Sequence, residues 1–144
     1  MATIRSCNIP DDLYYLVEKH VWARKAGDLI EVGLTDVAQN LAKGIISVTP
    51  KKVGRTLRAE QSVATVESGK WVGPVKSPIG GEVVAVNDAV SASPKSINAD
   101  PYGNGWLVKM KPANWDADAA SLVTGDAAMK AFEAKMTADG FAGC

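Results

Sequence analysis

The sequence predicts a mainly β protein, with two antiparallel sheets, one short internal helix and helices at the C-terminal end. Three observations carry this. Short apolar runs recur between turn formers from Val21 to Met110. Two middle stretches, V-G-R-T-L-R-A-E-Q-S-V-A-T-V-E and S-P-I-G-G-E-V-V-A-V-N, each set a glycine turn before a valine-rich strand, as a quasi-symmetric pair of sheets would. From Asp116 onward the composition turns alanine-rich and helical.

The early strands are Val21 to Lys25, Leu29 to Gly33 and Ile45 to Thr49, the first two joined at Gly27-Asp28 as in a hairpin. Between the second and third lies T-D-V-A-Q-N-L-A-K-G, Thr35 to Gly44. Thr35 suits an N-cap, Asp36 suits the positive helix end, Val37 and Leu41 share a face, and Gly44 suits the C′ site. Pro50 to Ala59 is a turn-rich link, followed by strands on either side of Gly69-Lys70. Asn87 to Gly105 is dense in turn formers and reads as a loop, with Asp100 to Trp106 a structural turn. Trp106 to Met110 is the last strand, with Trp106 in the core and Pro112 ending it. In the C-terminal helix Asp126 is the N-cap, Met129, Phe132 and Met136 share one face, and Gly140 closes the pattern.

The 144 residues are long enough for one domain with a proper core, and 47% apolar residues is an ordinary globular level. We therefore expect a single domain over residues 1–144, with a β core at 14–112 and a helical segment at 113–140. Sixteen basic residues balance sixteen acidic ones, so the basic footprint that nucleic acid requires is missing. The first residues hold no apolar leader and no later run is long enough to span a bilayer, so a cytoplasmic location is the expectation. Without a secretory context, Cys7 and Cys144 read as bystander thiols, with a terminal Cys144 also a candidate reactive group.

One histidine and two distant cysteines make no metal-ligand spacing, and no nucleophile–base set or phosphate loop is legible. Any chemistry would reside in something attached to the chain. The stretch E-S-G-K-W-V-G-P, Glu67 to Pro74, then becomes the question. By spacing alone Lys70 is either a solvated turn lysine, the commoner fate of an exposed Lys, or a chemical handle.

The chain resembles the H proteins of the glycine cleavage system and their lipoyl-carrying relatives. The matching stretches are V-G-L-T-D-V-A-Q (Val32 to Gln39), V-E-S-G-K (Val66 to Lys70), S-P-I-G-G-E-V-V-A-V-N (Ser77 to Asn87) and D-P-Y-G-N-G-W-L-V-K-M-K-P (Asp100 to Pro112). With the C-terminal helices, the likeness covers about residues 14–140. It implies a lipoyl/biotinyl-type barrel-sandwich hybrid and lipoic acid amide-linked to Lys70. Glu67, Ser68, Gly69 and Trp71 would complete the attachment hairpin, with Gly69 supplying the positive φ of a tight primed turn. Glu67 reads either as a mark for a lipoate-attaching enzyme or as a solvated charge, and Trp71 either as a cover for the hairpin or as a contact for arm or partner. A biotin carrier uses a related hairpin, but its lysine usually stands between two methionines, not between Gly69 and Trp71.

The resemblance also implies a cleft for the loaded arm, lined in glycine-cleavage H proteins by polar residues. The matching positions here are Val21, Val37 and Pro74, beside His20, and all three are apolar. A buried ammonium without its carboxylate partner costs several kcal/mol, on the order of the cost of any unpaired buried charge. The expectation is therefore a non-enzymatic carrier of sulfur-bound intermediates, serving heterodisulfide-reductase-like enzymes of sulfur oxidation. The alternative is a glycine cleavage H protein carrying the aminomethyl group. A stand-alone enzyme and an unmodified binding module are the other classes.

Overall fold

The computed structural model describes residues 2–144. The chain opens with a small hairpin that the sequence reading did not foresee, β1 (Ala2–Ile4) and β2 (Cys7–Ile9), followed by β3 (Tyr14–Leu16) and a 3-10 turn, Val17–Lys19. The predicted hairpin is present as β4 (Val21–Ala26) and β5 (Leu29–Leu34), in register from Val21↔Leu34 to Ala26↔Leu29. Gly27 turns it at φ 64°, a conformation that glycine adopts without steric cost.

Helix α1 (Asp36–Ala42) begins where the cap signal placed it, with the Thr35 hydroxyl accepting the Ala38 N–H at 3.2 Å. It ends differently. The positive φ falls on Lys43, not Gly44. The Asn98 side chain clamps this exit, donating to the Lys43 carbonyl at 2.7 Å and accepting the Ile45 N–H at 3.0 Å.

The remaining strands are β6 (Ile45–Pro50), β7 (Thr56–Leu57), β8 (Ser62–Ser68), β9 (Val72–Lys76) and β10 (Gly81–Val86). The expected loop at 87–105 contains two short helices, α2 (Asp88–Ala92) and α3 (Ser96–Ala99), which bury Val90 and Ile97. Strand β11 (Val108–Pro112), helix α4 (Trp115–Ala119), strand β12 (Val123–Thr124) and helix α5 (Gly125–Asp139) complete the chain.

Seven strands form one sheet in the order β12-β3-β4-β5-β11-β10-β7, and three form another, β6-β8-β9. The run Val75 to Val86 is divided between them: β9 ends at Lys76 in the small sheet and β10 begins at Gly81 in the large one. The link is held by buried Ser77, whose hydroxyl donates to the Ile79 carbonyl at 2.6 Å. Val21, Ile30, Val32, Val63, Val66, Val75, Val83 and Val108 are among the residues that fill the main core. Burying each removes apolar surface worth about 1.5–3 kcal/mol per side chain.

A second core lies beneath α5, where Phe132 and Met136 pack with Tyr15, Trp22 and Val37. Met129, expected on the same face, is only partly buried. The helix starts after Thr124 and not at Asp126, because the Thr124 hydroxyl donates to the Leu13 carbonyl and anchors the entry. Gly140 closes it as expected, at φ 66°. Its N–H donates to the Thr137 carbonyl and that of Phe141 to the Met136 carbonyl, the two bonds of a Schellman ending.

Two further expectations are corrected. Trp106 is half-buried and precedes strand β11, which begins at Val108 and is followed by the short β12. Its N–H donates to Gly103 O, so it belongs to the Asp100 turn instead of the ladder, and the Lys109 ammonium lies 4.8 Å from its ring centre. The fully buried tryptophan is Trp22, whose indole N–H donates to the Pro101 carbonyl at 3.0 Å. The cysteines are not bystanders: Cys7 and Cys144 form a disulfide across 137 residues. Spacing could not reveal it, because the two cysteines stand 137 residues apart and only the fold brings β2 and the C-terminal tail together, where the Cys144 N–H donates to the Arg5 carbonyl at 2.9 Å.

Candidate functional site

The β8–β9 hairpin carries Lys70 at its tip, in a two-residue turn between Ser68 and Trp71. Ser68 is the residue that builds the turn. It is buried, and its hydroxyl accepts the Lys70 N–H at 3.2 Å and the Trp71 N–H at 3.0 Å, while its own N–H donates to the Trp71 carbonyl at 2.7 Å. Serine side chains close turns in this way by standing in for a backbone acceptor. Gly69 consequently does not adopt the positive φ expected of it, and a Cβ there would meet nothing within 4 Å. Lys70 is exposed on a backbone fixed from below.

Glu67 is exposed on β8, opposite Val72 on β9. Trp71 is 44% exposed, with its ring folded over Gly73: a Cβ on that glycine would stand 2.5 Å from a ring carbon. It both covers the hairpin and borders the space beside Lys70.

Lys70 borders two adjoining cavities. One, of about 390 Å³, is walled by Leu34, Ala38, Leu41, Trp71 and Pro74 and has no carboxylate on its lining. The other, of about 360 Å³, is walled by Val37, Leu41, Phe132 and Met136, with the C-terminal tail Gly140 to Gly143 along one side. Its carboxylate is Asp139, which is paired with the Lys135 ammonium at 3.0 Å. Both volumes fall in the range that small-molecule groups occupy.

His20 borders both cavities. It sits between the 3-10 turn and β4 in the left-handed region, at φ 63°, and its carbonyl accepts the Thr35 N–H at 3.1 Å. Its Nδ1 is buried with no hydrogen-bond partner among the described residues. Burial first, and then the nearby Lys135 ammonium, push its pKa below the ordinary histidine value, so the ring is neutral near pH 7.

Of the positions read from the sequence, the fold thus brings His20, Val37, Trp71 and Pro74 around Lys70. Val21 is not among them. Its side chain is fully buried in the main core, because β4 turns Val21 and Ala23 toward that core and Trp22 toward the second one. The sequence reading missed the tail residues Phe141 to Gly143 and the Lys135–Asp139 pair, which reach the site through the docking of α5. Leu41 was legible through its shared face with Val37: Val37 is buried, and Leu41, 40% exposed, borders both cavities.

An anchored dithiolane arm fits these residues: an exposed amine for an amide link, a rigid turn beneath it and mainly apolar walls beside it. Comparison with known proteins points the same way. The family model described as Glycine cleavage H-protein matches residues 13–135. The chain is 46% identical over 127 residues to glycine cleavage system H protein 5 of Aquifex aeolicus, covering 85% of this chain and 86% of that one. It is 47% identical over 132 residues to a probable glycine cleavage system H protein 2 of Sulfurisphaera tokodaii, covering 90% and 88%. The crystal structure of a glycine cleavage system H protein from Mycobacterium marinum superposes with a TM-score of 0.68 at 35% identity, covering 73% of this chain and 87% of that one. Fold, hairpin and sequence agree: the chain belongs to the glycine cleavage H-protein family, whose members are lipoate-carrying, non-catalytic subunits.

Proposed function

We propose that this chain is a lipoyl carrier that bears lipoate on Lys70 and presents the arm to the enzymes of a glycine cleavage system. The observation that carries it is the lysine itself: exposed at the apex of a turn whose backbone a buried serine fixes, with two cavities at its base. The names of the relatives, among them the H protein of Neisseria meningitidis at 47% identity over 122 residues, support the glycine system. When bound, lipoate supplies a dithiolane that exchanges with thiols and accepts groups on sulfur. The chain supplies the anchor, the rigid support and the walls. Tethering makes each visit to a docked enzyme effectively intramolecular. The partners follow from this: a lipoate-attaching enzyme, for which the exposed Glu67 and Trp71 are contacts, and the enzymes that load and unload the arm.

Coexpression with a lipoate-attaching enzyme and intact-mass analysis tests the anchor. Lipoate on Lys70, and none on a Lys70→Arg chain, is the expected result. An unmodified Lys70 in a host that lipoylates its own carriers would overturn it.

A second reading, carriage of sulfur-bound intermediates for heterodisulfide-reductase-like enzymes, is favoured by one observation. The cavity beside Trp71 has no carboxylate on its lining, and the carboxylate of the other is already paired with Lys135. An ammonium-bearing cargo gains little from such walls, whereas a neutral sulfur species fits them. Release of carbon dioxide from glycine by a glycine decarboxylase, with the lipoylated chain beside an ordinary H protein, separates the two. Comparable turnover supports the glycine system, and absence of turnover supports the sulfur cargo.

A further inference from the structure

Among the described residues the large apolar side chains left exposed are Leu41, Ile46, Val53, Trp71 and Val72. Leu41 and Trp71 border the cavities beside Lys70, whereas Ile46 and Val72 border neither. In the small sheet Glu67 on β8 pairs with Ser47 on β6 and with Val72 on β9, so these side chains form one row across the sheet. The row faces outward: Glu67 and Val72 are exposed, and the alternating residues Val66 and Ser68 are buried. Ile46 falls where the register of β6 on β8 shifts, between buried Ile45 and Ser47. Such a bulge adds a residue and re-aims its side chain, and here it leaves an isoleucine 59% exposed. Val72 is 64% exposed. Two aliphatic side chains thus flank an exposed carboxylate at the end of the sheet where the Lys70 turn closes.

We infer that the row Ile46–Glu67–Val72 is the docking face for the enzyme that attaches lipoate to Lys70, an acyl transferase with an apolar surface and a cationic side chain opposite Glu67. The inference rests on the reading of Lys70 as the lipoyl anchor and names the surface that this reading requires. The occupant follows from where the bond is made. The neutral Nζ attacks the carbonyl carbon of an acyl adenylate, the C–N bond forms, the acyl–oxygen bond breaks, AMP leaves with the bonding pair, and the amine gives up one proton. All of this happens at Nζ itself, so the attaching enzyme must enclose the hairpin tip and hold it in register with its acyl group. Enzymes that work on the dithiolane meet it at the far end of the arm. The row borders neither cavity, so it is no wall for a resting arm. The turn closed by Ser68 holds Lys70 in a fixed relation to the row. Desolvation of Ile46 and Val72 supplies affinity, and pairing of Glu67 sets the orientation.

The test follows lipoylation of the full chain by a purified lipoate ligase with lipoate and ATP, read by intact mass over a range of carrier concentrations. The variants are Ile46→Thr with Val72→Thr, which keeps β-branched residues in the strands, and Glu67→Gln. Val53→Thr, in the turn beyond the far end of β6, is the exposed apolar control. The expected result is a KM for the carrier raised about tenfold in the double variant, the size of one lost interface anchor, with kcat and the urea midpoint unchanged. Glu67→Gln also raises KM, by a factor that shrinks as salt is added. Val53→Thr matches the parent. Once driven to full lipoylation with excess ligase, the variants should be reduced by lipoamide dehydrogenase and NADH at the parent's rate. The inference is overturned if the double variant keeps the parent's KM, if Val53→Thr raises it equally, or if reduction of the arm slows in the same proportion. A parent chain that gains no lipoate overturns the functional reading itself, and its mass reports that separately.

Discussion

The Tyr102 hydroxyl accepts the Asp36 backbone N–H at 2.9 Å, at the first turn of the helix that walls the arm's cavity. It also donates to the Asn8 carbonyl at 2.6 Å, so one phenol ties the 100–106 turn to α1 and to β2. Tyr102→Phe leaves a donor and an acceptor unsatisfied in a buried place. The expected loss is about 1–3 kcal/mol, read as a lower urea midpoint with unchanged slope.

A second relationship concerns Gly33. It pairs with Trp22 across β4 and β5, and a Cβ there would stand 2.5 Å from the indole. The indole is fully buried and hydrogen-bonded, so it cannot swing aside cheaply. Gly33→Ala is expected to cost about 1–3 kcal/mol through overpacking, with a changed near-ultraviolet dichroism from the displaced tryptophan.

Gly69→Ala makes the opposite case. The turn is closed by the Ser68 hydroxyl, and space around Gly69 is open. The substitution should leave the unfolding free energy from urea titration within about 0.5 kcal/mol of the parent, as at other featureless surface positions. Ser68→Ala removes the acceptor of two N–H groups and should destabilise by about 1–3 kcal/mol. A larger loss from Gly69→Ala than from Ser68→Ala would show that glycine, not serine, builds the turn.

Stability should fall at both ends of the pH scale. His20 has its pKa lowered in the fold, chiefly by burial, so the unfolded chain binds the proton more readily. Its contribution is complete above the unfolded value of about 6.5 and is lost as the pH falls below it. Lys135, Asp139 and Glu18 are the charged groups that act on it. Relative to a His20→Asn variant, whose side chain suits the left-handed backbone, the parent should lose stability between about pH 7.5 and pH 5. Tyr15 and Tyr102 have pKa values raised chiefly by burial. Their contribution is complete below the unfolded value of about 10 and declines above it. Urea midpoints across this range check both limbs.

The parts of this molecule that were legible in the sequence are those fixed by neighbours along the chain. Gly27-Asp28 sets a hairpin whatever surrounds it, Thr35 caps α1 through Ala38, and Ser68 to Trp71 closes on itself. What was not legible depends on packing between distant segments. Strand β4 is covered on both faces, so alternation could not say that Val21 enters the core and not the cleft. The N-terminal hairpin holds Arg5 and Ser6 at positive φ and joins the fold through the disulfide and the Tyr102 bond to Asn8. Helices α2 and α3 lie in a stretch whose turn formers outnumber its two buried anchors, Val90 and Ile97. The turn that carries Lys70 was legible because it is local, but spacing left that lysine open between a solvated residue and a handle, and the family resemblance named it as the anchor; of the cavities beside it, one required α5 and the tail.

The joining of Cys7 to Cys144 makes nearly the whole chain a covalent ring. A protease that cuts one exposed bond, in the Lys51–Arg55 turn for example, opens the ring without dividing the molecule. Such a nicked carrier would keep both of its pieces attached, and the Lys70 hairpin with them, until the disulfide is reduced. On a denaturing gel it would run as one band without reductant and as two with it.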